Sequence, residues 1–170
     1  MLIFLIGFMG CGKSYIGRKI APNLGYEYID MDKFIETQEA MSIKQIFDEK
    51  GESYFRNLEH EFLLNIDSSQ NLVISTGGGV PCFFNNIQIM NEKGLTIYLN
   101  RNKELVLSRL KKGIDKRPLL QNLNEEELSQ FYDQKLADRK QYYEQAKIFA
   151  HNADYLEIIK MIEGYKKQLS

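Results

Sequence analysis

Apolar runs alternate with helix-period segments along this chain. Five short runs carry strand character: residues 2–6, 27–29, 72–75, 95–99 and 147–150. The first and fourth are nearly all apolar, as strands covered on both faces are. Helical patterns lie between them. One covers residues 14–24 and stops before Gly25. A second, 53–66, places Phe55, Phe62, Leu63 and Ile66 on one side. A third covers 102–111, and a long charged one covers 125–145 with Leu128, Phe131, Tyr132 and Leu136 as its buried stripe. Tyr155, Ile158, Ile159, Ile162 and Tyr165 close the chain at helical spacing. Such alternation predicts an α/β fold with a parallel sheet and right-handed crossovers. There is no internal repeat and no low-complexity segment. The 170 residues suit one domain over 1–170. Within it, residues 113–124 carry Gly113, Pro118 and several polar groups. They read as a surface loop or as a mobile lid, and their basic residues favour the lid.

The junction of the first strand and first helix carries the strongest chemical signal. Residues 7–14 read Gly-Phe-Met-Gly-Cys-Gly-Lys-Ser, a full G-x-x-x-x-G-K-S phosphate loop. A strand before and a helix after give the motif the context it needs. Backbone N–H groups then converge where the helix dipole also favours negative charge. Gly7, Gly10 and Gly12 allow a tight turn and close approach to phosphate oxygens. Lys13 reaches the β- and γ-phosphates as a mobile point charge. The Ser14 hydroxyl is the expected protein ligand of Mg²⁺. The implied ligand is a nucleoside triphosphate with Mg²⁺.

Four further polar groups stand out. Asp30 and Asp32 follow a short strand, and positions i and i+2 of an extended segment point the same way. Both carboxylates would then face the cleft at the strands' carboxyl ends. The competing reading makes Asp32 a helix cap. Arg56 and Glu59 are i, i+3 neighbours on a helix, so Glu59 can hold the guanidinium while its fork faces a planar carboxylate. Alone, this pair reads rather as a surface ion pair. Gly77, Gly78 and Gly79 follow the apolar strand and make sense where a ligand touches the backbone. Arg117 lies in the lid candidate, where an arginine can stabilise a transferring phosphoryl group. Arg139 sits on the following helix with Tyr143 at i+4 and can contact an acidic substrate; each of the two arginines reads equally as a solvated charge among the 22 Lys and Arg residues.

Bulk composition narrows the classes. The chain is 44% hydrophobic and 26% charged, with a net charge of −1. No global field favours nucleic acid or anionic membrane, and no aromatic-basic stripe appears. Cys11 and Cys82 form no metal-ligand pair, and a reducing cytosol is expected. Met1 abuts the first strand with no leader before it, so a cytoplasmic protein is expected. A guanine-specific N-K-x-D segment is absent, which argues against a nucleotide switch. Other small phosphate-loop kinases, for gluconate or a nucleotide, remain alternatives. The arginine pair and glycine triplet favour a small carboxylic acid.

Taken together, the segments G-F-M-G-C-G-K-S, D-M-D, F-R-N-L-E, T-G-G-G, R-P-L-L and R-K-Q-Y-Y-E resemble the shikimate kinase family in order and approximate spacing. The resemblance runs from Gly7 to about Ala150. It implies a P-loop NTPase fold of the nucleoside monophosphate kinase type, a three-layer sandwich around a five-stranded parallel sheet of order 2-3-1-4-5. It implies transfer of the ATP γ-phosphate to the 3-hydroxyl of shikimate, on the route to chorismate and the aromatic amino acids, by a monomer. It implies Asp32 as general base and hydroxyl ligand, Asp30 near the Mg²⁺ water shell, and Arg56 and Arg139 as the clamp on the shikimate carboxylate. Residues 77–79 would touch the substrate ring, and Arg117 would reach the phosphates from the lid. Gly10, Cys11, Gly12, Lys13, Ser14 and Tyr15 would hold the nucleotide, with Arg109 beside the adenine. Two departures from the family pattern stand out. Cys11 replaces a small Ser or Ala near a helix N-terminus, where an acidified thiol and ATP-protected inactivation by thiol reagents are expected. Ala150-His151 replaces an acidic and a hydroxyl residue. His60 and His151 are expected to be ordinary surface residues.

Overall fold

The computed structural model describes residues 1–112 and 123–169. Five strands form one sheet: β1 (Leu2–Ile6), β2 (Glu27–Asp30), β3 (Leu72–Ser75), β4 (Gly94–Asn100) and β5 (Ile148–His151). Their order is β2-β3-β1-β4-β5 and every neighbouring pair is parallel. The helices are α1 (Lys13–Leu24), α2 (Met31–Glu39), α3 (Ile43–Asn65), α4 (Asn86–Lys93), α5 (Lys103–Lys112), α6 (Glu125–Tyr143) and α7 (Tyr155–Leu169).

Central β1 explains its own composition. All five residues are fully buried. Leu2, Phe4 and Ile6 enter one core with residues of α3 and α4, and Ile3 and Leu5 enter another with residues of α1 and α7. A strand in the middle layer of three has no polar face, so period-2 alternation disappears into a continuous apolar run. Phe8 continues into a smaller cluster with Val106, Leu110, Leu128 and Tyr132 of α5 and α6.

The expected strands and the helices over 14–24, 102–111 and 125–145 are present, with ends differing by one or two residues. Two differences matter. Helices α2 and α4 have too few apolar residues to announce themselves. The helix expected over 53–66 starts at Ile43 and is broken at Gly51 (φ 84°, ψ 166°). Ser42 and Gln45 form a capping box at its start. Of the lid candidate, residues 113–122 lie outside the described residues, Arg117 among them.

Candidate active site

The sheet presents its carboxyl edge to a cleft of about 600 Å³. Residues 7–13 build one wall. Gly10 and Gly12 take φ of 80° and 98°, in the left-handed region that a side chain disfavours. Gly12 caps α1 without a side-chain hydrogen bond, so no side chain of the cap competes for the first-turn N–H groups. Lys13 folds over the loop, its Nζ donating to the Gly7 carbonyl at 2.8 Å and the Phe8 carbonyl at 3.1 Å. Ser14, Tyr15 and Arg109 also line the cleft. Arg109 reaches across from α5 to donate to the Gly10 carbonyl at 3.3 Å.

Cys11 departs from expectation. Its side chain is 1% exposed and belongs to the apolar core shared with α1 and α7. A Cβ on Gly7 would lie 3.1 Å from its sulfur. The sulfur lies 3.8 Å from Lys13 Nζ, and the thiol expected to be acidified near the helix N-terminus is buried here.

The two aspartates reach the cleft by a different route from the expected one. The segment is not extended through Asp32. Asp30 ends β2 and is the N-cap of α2, while Asp32 stands in the first turn of that helix. Neither capping nor strand alternation aims Asp32. The strand-to-helix turn brings both carboxylates to the cleft wall. Asp30 Oδ2 accepts from Ser14 Oγ at 2.9 Å and lies 3.2 Å from the Tyr28 hydroxyl, which also lies 3.1 Å from Ser75 Oγ. Ser14 and Asp30 thus offer two hard oxygens side by side. No cluster of three or more His, Cys, Asp or Glu converges as a metal site among the described residues. Two protein oxygens beside a phosphate loop fit Mg²⁺, which takes most of its ligands from phosphate and water.

Beside the glycine run, whose Gly77 and Gly78 line the cleft, stand two cations, Arg56 and Arg139. Arg56 on α3 is held on two edges. Its Nη1 donates to Glu59 Oε2 at 2.8 Å, and its Nε and Nη2 donate to Glu52 Oε1 at 3.1 and 2.8 Å. The Phe83 ring lies 4.3 Å from its guanidinium carbon. Glu59 is fully buried, so the pair is no surface ion bridge. Residues 77–79 run between these groups. A Cβ on Gly77 would lie 2.8 Å from Glu59 Oε1 and 3.0 Å from Asp32 Oδ1. One on Gly78 would lie 3.3 Å from Arg139 Nη1, and one on Gly79 would lie 2.9 Å from Arg56 Nη1. Each glycine therefore makes room for a charged group of the site itself, a demand independent of any ligand.

Asp32 Oδ1 and Glu59 Oε1 are buried without a hydrogen-bond partner among the described residues. Burial, then the charge of Asp30, pushes the Asp32 carboxyl up to about 6, against the pull of Lys13 and Arg56. Burial likewise pushes Glu59 up to about 7, with Arg56 opposing it. Desolvation outweighs the nearby cations in both cases. A carboxyl with that affinity for protons, facing a cleft, is suited to proton transfer.

Some participants escaped sequence reasoning. Glu52 lies at i−4 from Arg56, a spacing that could have disclosed it. Tyr28 alternates with Asp30 along β2, another legible signal. Phe83 had none, because it arrives through the turn after the glycines. His60 is no ordinary surface residue: it is half-buried, and its Nδ1 lies 2.7 Å from Oδ1 of the buried Asn86. His151 is exposed at the end of β5.

A parallel sheet of this order, with a phosphate loop after its central strand and an aspartate and two arginines across the cleft, defines a P-loop kinase for a small acidic acceptor. Comparison with known proteins makes this specific. The family model for shikimate kinase matches residues 9–169. The shikimate kinase of Bacteroides thetaiotaomicron is 40% identical over 98% of this chain and 95% of its own length. That of Persephonella marina is 44% identical over 86% and 85%. The solved structure of the Bacteroides thetaiotaomicron enzyme matches with a TM-score of 0.83 and 35% identity, over 99% of this chain and 98% of that one. The Acinetobacter baumannii enzyme, solved in complex with shikimate, matches with a TM-score of 0.86 and 32% identity, over 97% and 94%. The chain belongs to the shikimate kinase family. No helix among the described residues is long and apolar enough to cross a membrane.

Proposed function

We propose that this enzyme, an ATP-dependent kinase of the shikimate kinase family, phosphorylates shikimate through the groups described above. The observation that carries the reading is the convergence of Asp32, Arg56 and Arg139 on residues 77–79, beside the phosphate loop. Family membership favours shikimate over gluconate as acceptor.

Lys13 and the N–H groups of the loop hold the β- and γ-phosphates, with Gly10, Gly12 and Tyr15 against the nucleotide and Arg109 near its base. Arg56 and Arg139 bind the acceptor's carboxylate. With that anchor set, the hydroxyl lies near Asp32, which takes its proton as the oxygen bonds to the γ-phosphorus and the bond to the β-γ bridging oxygen breaks. The products are shikimate 3-phosphate and ADP, which places the reaction on the route to chorismate. Mg²⁺, held by Ser14 and Asp30, would neutralise charge on the phosphates. Arg117, outside the described residues, would add a further cation from the proposed lid of this single domain, residues 113–124. A cytoplasmic monomer is part of the reading, and the two free cysteines suit a reducing compartment.

ADP release, measured with shikimate, gluconate and nucleoside monophosphates in turn, tests the acceptor. Release dependent on shikimate alone is expected. Release with another acceptor and none with shikimate would overturn the reading.

A further inference from the structure

Tyr143, the last residue of α6, has an unusual position for a phenol. It is fully buried in the core, and its ring stacks on Tyr98 with centroids 5.1 Å apart and planes at 29°. A hydroxyl sunk in apolar surroundings is costly unless it is paired. This one donates to the Gly78 carbonyl at 2.6 Å. Burial raises its pKa, so it stays a donor over the whole working range of pH.

The bond matters because of what it holds. Three consecutive glycines leave peptide planes with few intrinsic constraints. Within the turn, Val80 N donates to Gly77 O at 3.2 Å and Cys82 N donates to Gly79 O at 2.8 Å. Those contacts fix the first and third carbonyls. Only Tyr143 fixes the second among the described residues. The peptide joining Gly78 to Gly79 is trans, so its N–H points opposite to its C=O. The C=O points toward the core that holds Tyr143. The Gly79 N–H therefore points away from Tyr143, next to Gly77 and Gly78, which line the cleft. No described group accepts from it. Arg56 Nη1 and Arg139 Nη1 lie close to the same two glycines. Arg139 is one helical turn before Tyr143 and stands beside its hydroxyl. One turn of α6 thus supplies an arginine and the strut for the facing peptide.

We propose that Tyr143 is a positioning residue: its hydroxyl locks the Gly78 carbonyl so that the Gly79 N–H faces the acidic acceptor between Arg56 and Arg139. The proposal rests on shikimate being that acceptor, and the test separates the two. In Tyr143→Phe the ring stack survives, and the hydroxyl's bond to the Gly78 carbonyl is lost together with its contact to Arg139. The shikimate KM should rise roughly tenfold, about 1.4 kcal/mol, while the ATP KM stays within twofold and thermal unfolding shows a folded protein. In [¹⁵N]glycine-labelled wild type, shikimate should shift the Gly79 amide resonance, and in the variant that shift should shrink. Replacement by His or Gln, which restore a donor with altered reach, should recover less than the native phenol. An unchanged shikimate KM, equal rises in both KM values, or a Gly79 amide indifferent to shikimate in wild type would overturn the role of Tyr143. Wild type with no shikimate-dependent ADP release would instead sink the functional reading beneath it.

Discussion

The phosphate end of the cleft comes mainly from one stretch of chain, residues 7–15, joined by Asp30 and Arg109. The acid end gathers Asp32, Arg56, residues 77–79 and Arg139 from four separate segments. At the first end backbone groups dominate, and glycines at positive φ set their direction. At the second end side chains dominate, and further side chains hold two of its parts: Glu52 and Glu59 hold Arg56, and Tyr143 holds the glycine run. A contiguous loop binds a group common to every nucleotide. A site collected from distant segments has many positions at which the acceptor can be specified. Perturbations should accordingly spare one end while damaging the other.

The largest separation is expected from Asp32→Asn. Turnover should fall by about 10²–10⁴-fold, the usual worth of a positioned general base, while ATP affinity changes little. Its stability should move the opposite way. The native carboxyl holds its proton up to about 6, whereas an unfolded aspartate loses it near 3.9. Ionising it therefore costs native stability, progressively as pH rises through that window and fully above it. Asn removes the penalty, so thermal unfolding at pH 8 should occur a few degrees higher. Wild-type turnover in Asp32→Asn would remove Asp32 from the base role.

Arg56→Ala ranks next. The shikimate KM should rise by about 10²-fold, comparable to losing a charge-assisted hydrogen bond of ~2–3 kcal/mol, with the ATP KM nearly fixed. Steady-state titration of each substrate checks this, and a matching loss of ATP affinity would show the two ends to be one unit.

A pH profile sharpens the contrast with a smaller effect. Asp32 must be ionised to accept a proton, so kcat/KM for shikimate should decline tenfold per pH unit below about 6. ATP binding measured by calorimetry should show no matching decline with its acid limb at Asp32. The smallest effect belongs to Cys11. Iodoacetamide applied to the folded enzyme should leave activity intact, because the thiol is 1% exposed. Labelling traced by mass spectrometry should find Cys11 modified only after denaturation.

The same contrast explains how much was legible beforehand. The strand-loop-helix of residues 2–24 was readable because a buried strand and a phosphate loop each impose a local pattern. The sheet order followed from the family resemblance, and the alternation of elements supplied the class. Arg56 and Glu59 were visible as neighbours but ambiguous, since i, i+3 spacing does not disclose that Glu59 is fully buried. Asp30 and Asp32 were found for a partly mistaken reason, because a turn into α2 replaced the extended segment. Phe83 and the link from Tyr143 to Gly78 depend on contacts between segments up to 65 residues apart, which no local period records. Burial of Cys11 likewise depends on Leu99 and α7 closing around it.

Lys13 carries one more consequence. Its ammonium already donates to two carbonyls of its own loop. An incoming phosphate oxygen must compete with them, so association with the triphosphate is a swap of acceptors at this lysine. The internal bonds keep the cation seated and the turn wound beforehand, and its ordering cost falls on folding instead of on capture. Nucleotide affinity should therefore track the charge and geometry of the phosphates far more than any freezing of the loop.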